Sequence, residues 1–259
     1  MDWVVSQAWN QVAEVLNGIP LAAERVRYAA AIKPLLVLPK SARILEAGCG
    51  SGRVLRALAA LGYHRIVGLE ISFERLKEVA RLDPSFTPLV CSSEVPFASE
   101  TFDAVVSAGV IEHVIDPARW LVELGRVVRA GGVLSVTTDT YMWRWLSRLG
   151  LYRSIQPVDE AIWPTKLVRW GQRSGLNLLG CGGFINTPDQ RRYFIKQLLS
   201  LIPKTGPLRR WLCKSTMPEV LLDETEAILD SVRDFNGRTR VNLWSCVLSY
   251  ECYYWFHKR

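Results

Sequence analysis

The feature that most constrains the fold is a glycine-rich turn directly after a short apolar run. The run 42–47 (ARILEA) leads into the turn sequence 46–52 (EAGCGSG), and apolar residues then recur at helical spacing from Val54 to Leu61 before Gly62. Glycines at such a turn let the backbone come close to a ligand where a Cβ would obstruct it. This pattern predicts a strand, a ligand-binding turn and a helix.

The same alternation continues and predicts an α/β fold with a doubly wound, mostly parallel sheet of seven strands. The strands are predicted at 42–47, 65–69, 86–90, 102–107, 133–138, 176–185 and 241–256. Helices are predicted at 54–61, 72–82, 117–130, 164–174, 188–202 and 219–235. Ser72 and Asp116 are the predicted N-caps, and Gly131-Gly132 is the predicted end of the helix after Asp116. Parallel strands need such crossovers, and their ligands bind beyond the carboxyl ends of the strands. We expect the terminal strand to be antiparallel, at or near the sheet edge.

Charge divides the chain into two parts. Of the net +7, residues 140–214 carry 13 basic and three acidic side chains, a local excess of +10, with five of the ten tryptophans. We expect residues 1–139 to form N-terminal helices and the ligand-binding half. Residues 140–259 would complete the domain and add a helical, basic, aromatic-rich cap at about 140–163 and 187–235. Its predicted aromatic wall comprises Tyr141, Trp143, Trp145, Tyr152 and Trp163, and its predicted cations are Arg144, Arg148, Arg153 and Lys166. Arginines that merely solvate helices are the alternative interpretation.

Composition indicates an ordinary globular chain. With 259 residues and 49% hydrophobic content, it can bury a core without disulfides, and disordered and fibrous classes are excluded. The N-terminus has no signal-peptide pattern, no apolar window reaches about 18 residues, and the six cysteines form no C-x-x-C pair. We therefore expect a cytoplasmic protein with free thiols. The amphipathic stretch 188–202 leaves peripheral membrane contact as an alternative to packing on its own domain.

Four motifs in order resemble class I S-adenosylmethionine-dependent methyltransferases, in particular the small-molecule enzymes of quinone and natural-product pathways. The turn reads E-x-G-x-G-x-G, whereas the dinucleotide fingerprint would need a small residue where Arg53 stands. The stretches 94–97 (EVPF) with 101–103 (TFD), 110–114 (VIEHV) and 126–132 (RVVRAGG) are similar to the family's other motifs. The resemblance implies a Rossmann-like methyltransferase fold and S-adenosylmethionine as the cofactor.

The resemblance also implies which residues bind that cofactor. Glu70, at the end of the second strand, is similar to the acid that accepts hydrogen bonds from both ribose hydroxyls. The full set of candidate cofactor-binding residues is Glu46, Ala47, Gly48, Cys49, Gly50, Gly52, Glu70, Ile71, Ser92, Ser93, Glu94, Ala108 and Gly109. Two departures matter. The family's G-D-A is replaced by Val90-Cys91-Ser92, so the adenine contact passes to Ser92, Ser93 or the backbone. Gly109 replaces the first acid of the metal-dependent E-x-x-E-H, so we expect no metal.

Two residues after the fourth strand are catalytic candidates. His113 could act as the general base, since imidazole titrates near neutral pH. Alternatively, it packs beside the cofactor and hydrogen-bonds backbone. Glu112 could orient His113 or bind substrate, or serve as a cap-like acid near a helix start.

Three functions compete. The first is methyl transfer to an O, N or C nucleophile of a small anionic or hydrophobic metabolite. The second, modification of nucleic acid, is suggested by the basic segment but lacks an N-P-P-Y type tetrapeptide at 107–110. The third is a non-catalytic cofactor-binding module or a nicotinamide oxidoreductase, because fold does not fix function.

Overall fold

A computed structural model describes residues 2–17, 21–82, 87–90, 94–141, 145, 148, 157–184, 223–235, 241–249 and 251–259. Its seven strands form one sheet in the order β3-β2-β1-β4-β5-β7-β6. The strands are β1 Arg43–Ala47, β2 Arg65–Glu70, β3 Thr87–Val90, β4 Phe102–Ala108, β5 Val128–Asp139, β6 Leu176–Phe184 and β7 Glu251–Lys258. The helices are α1 Asp2–Asn17, α2 Leu21–Ile32, α3 Arg53–Ala60, α4 Phe73–Leu82, α5 Pro117–Val127, α6 Pro164–Arg173, α7 Glu224–Asp234 and α8 Ser245–Leu248.

Strands β1 to β5 are parallel, and β7 lies antiparallel between β5 and the edge strand β6. The predicted parallel sheet and the antiparallel terminal strand near its edge are confirmed. The strand order changes direction between β1 and β4, which is the switch point of the sheet. The ligand site is therefore expected beyond the carboxyl ends of these two strands. The predicted capping by Asp116 is confirmed as well, since its carboxylate accepts from Arg119 N at 3.0 Å.

Two predicted boundaries are wrong. The helix after Asp116 ends at Val127, and Gly131-Gly132 lie inside β5. Gly131 has a φ of +73°, and the register between β4 and β5 shifts here, so these glycines form an irregularity within the strand instead of ending the helix.

The second wrong boundary is the terminal strand, which begins at Glu251 instead of residue 241. Ser245–Leu248 forms the short helix α8 before it. Asn242 accepts from Ser245 N at 3.1 Å through its side-chain oxygen, which favours a helical turn over extended pairing.

Apolar layers cover both faces of the sheet. One face packs Leu121 and Leu124 of α5 and Leu167 of α6 against the strands. The other packs α2, α3, α4 and α7, with Ile228 and Val232 of α7 buried among them. The doubly wound architecture is therefore confirmed.

Part of the predicted cap lies within the described residues. Residues 224–234 form the predicted helix, and α7 packs against α2 and α3 with Ile228 and Val232 in the core. Near α6, Tyr141 and Trp163 meet edge to face with ring centroids 4.9 Å apart, and Trp145 is exposed. The other parts of the predicted cap lie outside the described residues: Trp143, Arg144, Tyr152, Arg153 and the predicted helix 188–202. The division at residue 139 stays a prediction. Over the described residues, no helix is long and apolar enough to span a bilayer.

Candidate cofactor and acceptor site

The glycine turn adopts a conformation that side chains rarely allow. Gly48, Gly50 and Gly52 have φ values of +86°, +52° and +79°. Backbone amides of Gly48 and Cys49 both donate to Leu69 O at 2.8 Å, which ties the turn to the end of β2. A Cβ on Gly48 would overlap Val110, and one on Gly50 would overlap the Arg75 guanidinium. Glycine is therefore required by backbone conformation and by crowding at the same time.

Replacing Gly48 with alanine should separate these two requirements. Gly62 has a similar φ of +90°, but its added Cβ would meet Lys40 Cδ at an ordinary 3.8 Å. We expect Gly62→Ala to cost about 1 kcal/mol of unfolding free energy from backbone strain alone. Gly48→Ala should cost at least about 2 kcal/mol because overlap with Val110 is added. Urea denaturation of both variants measures the difference, and equal losses would contradict the crowding at Gly48.

Glu70 organises the turn from the end of β2. Its buried carboxylate accepts from Gly50 N at 2.8 Å and from Ile71 N and Ser72 N, both at 2.9 Å. Three backbone donors fix both oxygens, yet two carboxylate oxygens offer about four acceptor positions. Glu70 is therefore a preorganised acceptor that can still receive hydroxyl donors.

Glu46 is a second buried acid, at the end of β1. Burial raises the pKa of its carboxyl well above the usual range, and neighbouring Glu70 raises it further. Among the described residues, Glu46 Oε2 has no hydrogen-bond partner. A buried acceptor left unpaired is costly, so the site favours a donor or cation placed against it.

These elements surround a cavity of about 590 Å³ at the switch point. The predicted residues that line it are Glu46, Gly48, Cys49, Gly50, Glu70, Ile71, Glu94, Ala108, Gly109 and His113. Ala47, Gly52 and Glu112 are not among the lining residues. Ser92 and Ser93 lie outside the described residues. Glu94 forms an ion pair with Arg119 of α5, which also lines the cavity.

The N-terminal helices supply a wall that sequence reasoning missed. Val5 and Trp9 of α1 and Glu24, Arg27 and Tyr28 of α2 all line the cavity. The contact of α1 with the rest of the fold includes the Ser6 hydroxyl, which donates to Ile71 O at 2.8 Å. These helices carry no motif, and only their packing over the carboxyl ends brings them to the site.

Arg27 is the centre of a largely buried charge cluster. Its Nε donates to Glu251 Oε1 and its Nη2 to Asp139 Oδ1, both at 2.8 Å, whereas Nη1 lies 4.0 Å from Glu24 Oε1. Burial raises the pKa of Glu251 to about 8 and that of Asp139 to about 6, against the lowering effect of Arg27. Two carboxylates thus anchor the guanidinium, and its third nitrogen lies beside Gly109 in the cavity wall.

Arg27 also explains the glycine at position 109. Gly109 has a φ of +65°, and an added Cβ would overlap Arg27 Nη1. An acid here would therefore be sterically excluded, and the guanidinium would repel a divalent cation. Within the described part of the chain, no group of three or more His, Cys, Asp or Glu side chains is arranged to hold a metal ion.

Glu112 and His113 lie on a short 3₁₀ turn after β4, where Glu112 faces protein groups and His113 lines the cavity. Glu112 is fully buried and accepts from Thr138 Oγ1 at 2.9 Å and from Asp139 N at 3.2 Å. His113 Nδ1 lies 2.9 Å from Val158 O, and because a carbonyl only accepts, Nδ1 carries the proton. Its Nε2 lies 3.7 Å from Glu112 Oε1. Burial lowers the pKa of His113, which favours neutral imidazole.

Arg53 occupies the position where a dinucleotide site would need a small residue. Its guanidinium donates to Glu24 at 2.7 Å and to Glu224 of α7 at 3.0 Å. The residue thus joins α2, α3 and α7 behind the glycine turn. A large cation is accommodated here because its charge is neutralised by acids from two other helices.

The sheet order, the glycine turn and the acid after β2 agree with the Rossmann-like methyltransferase fold that the sequence resemblance implies. Residues 45–136 match a family model described as a methyltransferase domain. S-adenosylmethionine is the cofactor that the sequence resemblance implies. The observed site fits that group, since a glycine cradle, a preorganised acceptor for a diol and a buried acid with one unpaired oxygen line one cavity.

Known methyltransferases resemble this chain in sequence and in fold. The mitochondrial ubiquinone biosynthesis O-methyltransferase of Homo sapiens is 39% identical over 116 residues, which cover 41% of this chain and 30% of the relative. The chain thus spans less than a third of that relative's length. A complex of the Haloferax volcanii Trm112 methyltransferase activator with a methyltransferase aligns with a TM-score of 0.62 at 17% identity, over 97% of this chain and 96% of the other.

The [4+2]-cyclase SpnF aligns with a TM-score of 0.59 at 18% identity, over 100% of this chain and 97% of the cyclase. These two structural similarities concern the fold. Because one of the proteins is named as a cyclase, the fold alone does not determine the activity.

Proposed function

We propose that this protein transfers the methyl group of S-adenosylmethionine to a hydroxyl oxygen of a small, hydrophobic ring compound. The observation that carries the proposal is the convergence of Glu46, the glycine turn and Glu70 on one cavity. The name of the human relative, a ubiquinone biosynthesis O-methyltransferase, supports oxygen as the acceptor atom.

For the cofactor, we propose that Glu70 accepts from the ribose hydroxyls while Glu46 faces a cationic group. Gly48 and Gly50 leave the room that the cofactor needs beside the turn, and Ile71 and Trp120 supply apolar surface in the same cavity. S-adenosylmethionine supplies a methyl group already activated on a sulfonium centre. The chain's own contribution is then orientation, which in favourable cases accounts for about 7 to 11 kcal/mol of a barrier.

For the acceptor, we propose the part of the cavity between α1, α2 and the turn after β4. Trp9 and His113 meet there edge to face, with centroids 5.7 Å apart and planes at 62°. Val5, Val114 and Ile115 add apolar surface. Such a wall suits a flat, apolar ring.

We propose that the acceptor is uncharged. Among the described residues, four arginines line the cavity. Arg27, Arg53 and Arg119 form ion pairs with protein carboxylates, and the Arg75 guanidinium lies against Gly50 of the glycine turn. The expected anionic acceptor depended on the basic segment 140–214, of which Arg144 and Arg153 lie outside the described residues. The predicted cytoplasmic location and peripheral membrane contact stay predictions.

Two catechols that differ in charge test both the proposed activity and the proposed charge of the acceptor. With radiolabelled S-adenosylmethionine, we expect methyl transfer to neutral 4-methylcatechol at a kcat/KM at least about tenfold above that for 3,4-dihydroxybenzoate. A buried cavity penalises an unpaired carboxylate by more than the 1.4 kcal/mol that a tenfold preference requires. Calorimetry should show S-adenosylhomocysteine binding and no response to NAD. Faster methylation of the carboxylate would restore the anionic acceptor, and absence of S-adenosylhomocysteine binding would contradict the whole proposal.

A further inference from the structure

The residues 157–163, which lead into α6, are attached to the cavity wall at one place. Glu160 N donates to Glu112 O at 2.8 Å, and His113 Nδ1 donates to Val158 O at 2.9 Å. At its other end this 157–163 segment is held by buried Ile162 in the core. The 3₁₀ turn 111–113 and the 157–163 segment therefore form one hydrogen-bonded unit.

The hydrogen bond that His113 makes favours a structural role over removal of a proton from an acceptor. Nδ1 is engaged with a carbonyl, and Nε2 lies on the side of the buried Glu112 carboxylate. The His113 side chain is 7% exposed, and Trp9 packs against its ring from the cavity side. A general base needs a nitrogen within hydrogen-bond reach of the proton that it removes. Nδ1 is already held by Val158 O, and Nε2 lies 3.7 Å from Glu112 Oε1, beyond hydrogen-bond distance.

We infer that His113 is a positioning residue, whose ring joins the acceptor-side wall to the 157–163 segment and holds Trp9 and that segment in place. The effect on catalysis rests on the proposed methyl transfer, whereas the connection between His113 and the 157–163 segment does not depend on it. A fixed wall keeps the acceptor in a reactive orientation, so loosening it should lower the rate without a change in protonation chemistry.

Two amide variants separate this role from general-base catalysis. In His113→Asn the side-chain amide can replace Nδ1, whereas in His113→Gln it reaches the position of Nε2. Neither amide titrates near neutral pH. The positioning role requires only a donor at the place of Nδ1. Asparagine should therefore keep the 157–163 segment attached, whereas glutamine should not. General-base catalysis requires the imidazole, so it should be lost in both.

The first measurement is hydrogen exchange of the peptide that contains Glu160, on protein without acceptor. We expect His113→Gln to speed its exchange by about tenfold or more and His113→Asn by less than about threefold. Equal acceleration in both variants would overturn the inference. This readout is independent of methyl transfer, so it remains informative even if wild-type protein fails to bind S-adenosylhomocysteine and the proposed function fails.

The second measurement is kcat with 4-methylcatechol as a function of pH. We expect a loss of at most about threefold in His113→Asn and at least about tenfold in His113→Gln, with the acid limb of the wild-type pH profile retained in His113→Asn. A general base contributes about 10²- to 10⁴-fold. A loss of that size in both variants, together with loss of the acid limb, would assign His113 as the base and overturn the positioning role.

Discussion

Replacing Glu70 with alanine should weaken S-adenosylhomocysteine binding by about 100-fold or more in isothermal titration calorimetry. The carboxylate would lose its hydrogen bonds to the ribose hydroxyls, and bonds to charged groups contribute about 1.5 to 3 kcal/mol each. Two such bonds amount to at least about 3 kcal/mol, and 1.4 kcal/mol is a factor of ten. The variant would also release the three backbone donors that Glu70 now accepts.

Two further variants make the Glu70 result specific. Glu70→Gln preserves side-chain shape and should retain the fold while still weakening binding by about tenfold, because a neutral amide is a poorer acceptor and supplies an unwanted donor. Glu74→Ala removes a nearby exposed acid that pairs with Lys77 at 2.8 Å, and binding should be unchanged. Affinity within threefold of wild type in Glu70→Ala, with the fold intact by circular dichroism, would exclude Glu70 from the cofactor site.

Replacing Arg27 with methionine should destabilise the protein by about 3 to 5 kcal/mol at pH 8.5. The change removes the counter-ion of Asp139, which is partly buried, and of Glu251, which is fully buried; both are hydrogen-bonded to Arg27 at 2.8 Å. Breaking a buried ion pair on one side costs this much because the remaining charge is left uncompensated. Chemical denaturation of wild type and variant measures the loss.

The loss at Arg27 should be smaller at pH 6. In the folded wild type the pKa values of Asp139 and Glu251 are raised to about 6 and about 8. Acids with raised folded-state pKa values hold more protons folded than unfolded, so stability falls as pH rises from about 4 to about 8. At pH 6 Glu251 is largely protonated and Asp139 about half, so Arg27 compensates less charge.

Glu251→Gln and Arg56→Met are the controls for Arg27. Glu251→Gln keeps an acceptor for Arg27 Nε and removes one titrating group, so it should flatten the fall in stability between pH 6 and 8.5. Arg56→Met removes a more exposed arginine that pairs with Glu224 at 3.4 Å, and should cost less than about 1 kcal/mol. A pH-independent Arg27→Met effect below 1 kcal/mol would contradict the described charge cluster.

Local sequence signals were sufficient for most of the parallel half of the fold. The glycine turn, the cap at Asp116 and the apolar runs of β1, β2 and β4 depend on neighbours within a few residues, and each is observed. The same local logic misplaced the end of α5. The sequence Gly131-Gly132 is compatible both with the end of a helix and with an irregularity inside a strand. The pairing of Val128 with Phe102 across the sheet decides for the strand.

The sequence by itself determined the class of fold, the glycine turn and the acid at Glu70, because backbone conformation and strand order restrict which residues can stand there. The tertiary structure alone decided the rest of the site. It brought Arg27 against Gly109 across 82 positions of the chain, placed Trp9 on His113, and directed His113 Nδ1 at Val158 O. Such contacts depend on how α1, α2 and the 157–163 segment pack over the sheet, and no local periodicity encodes that packing.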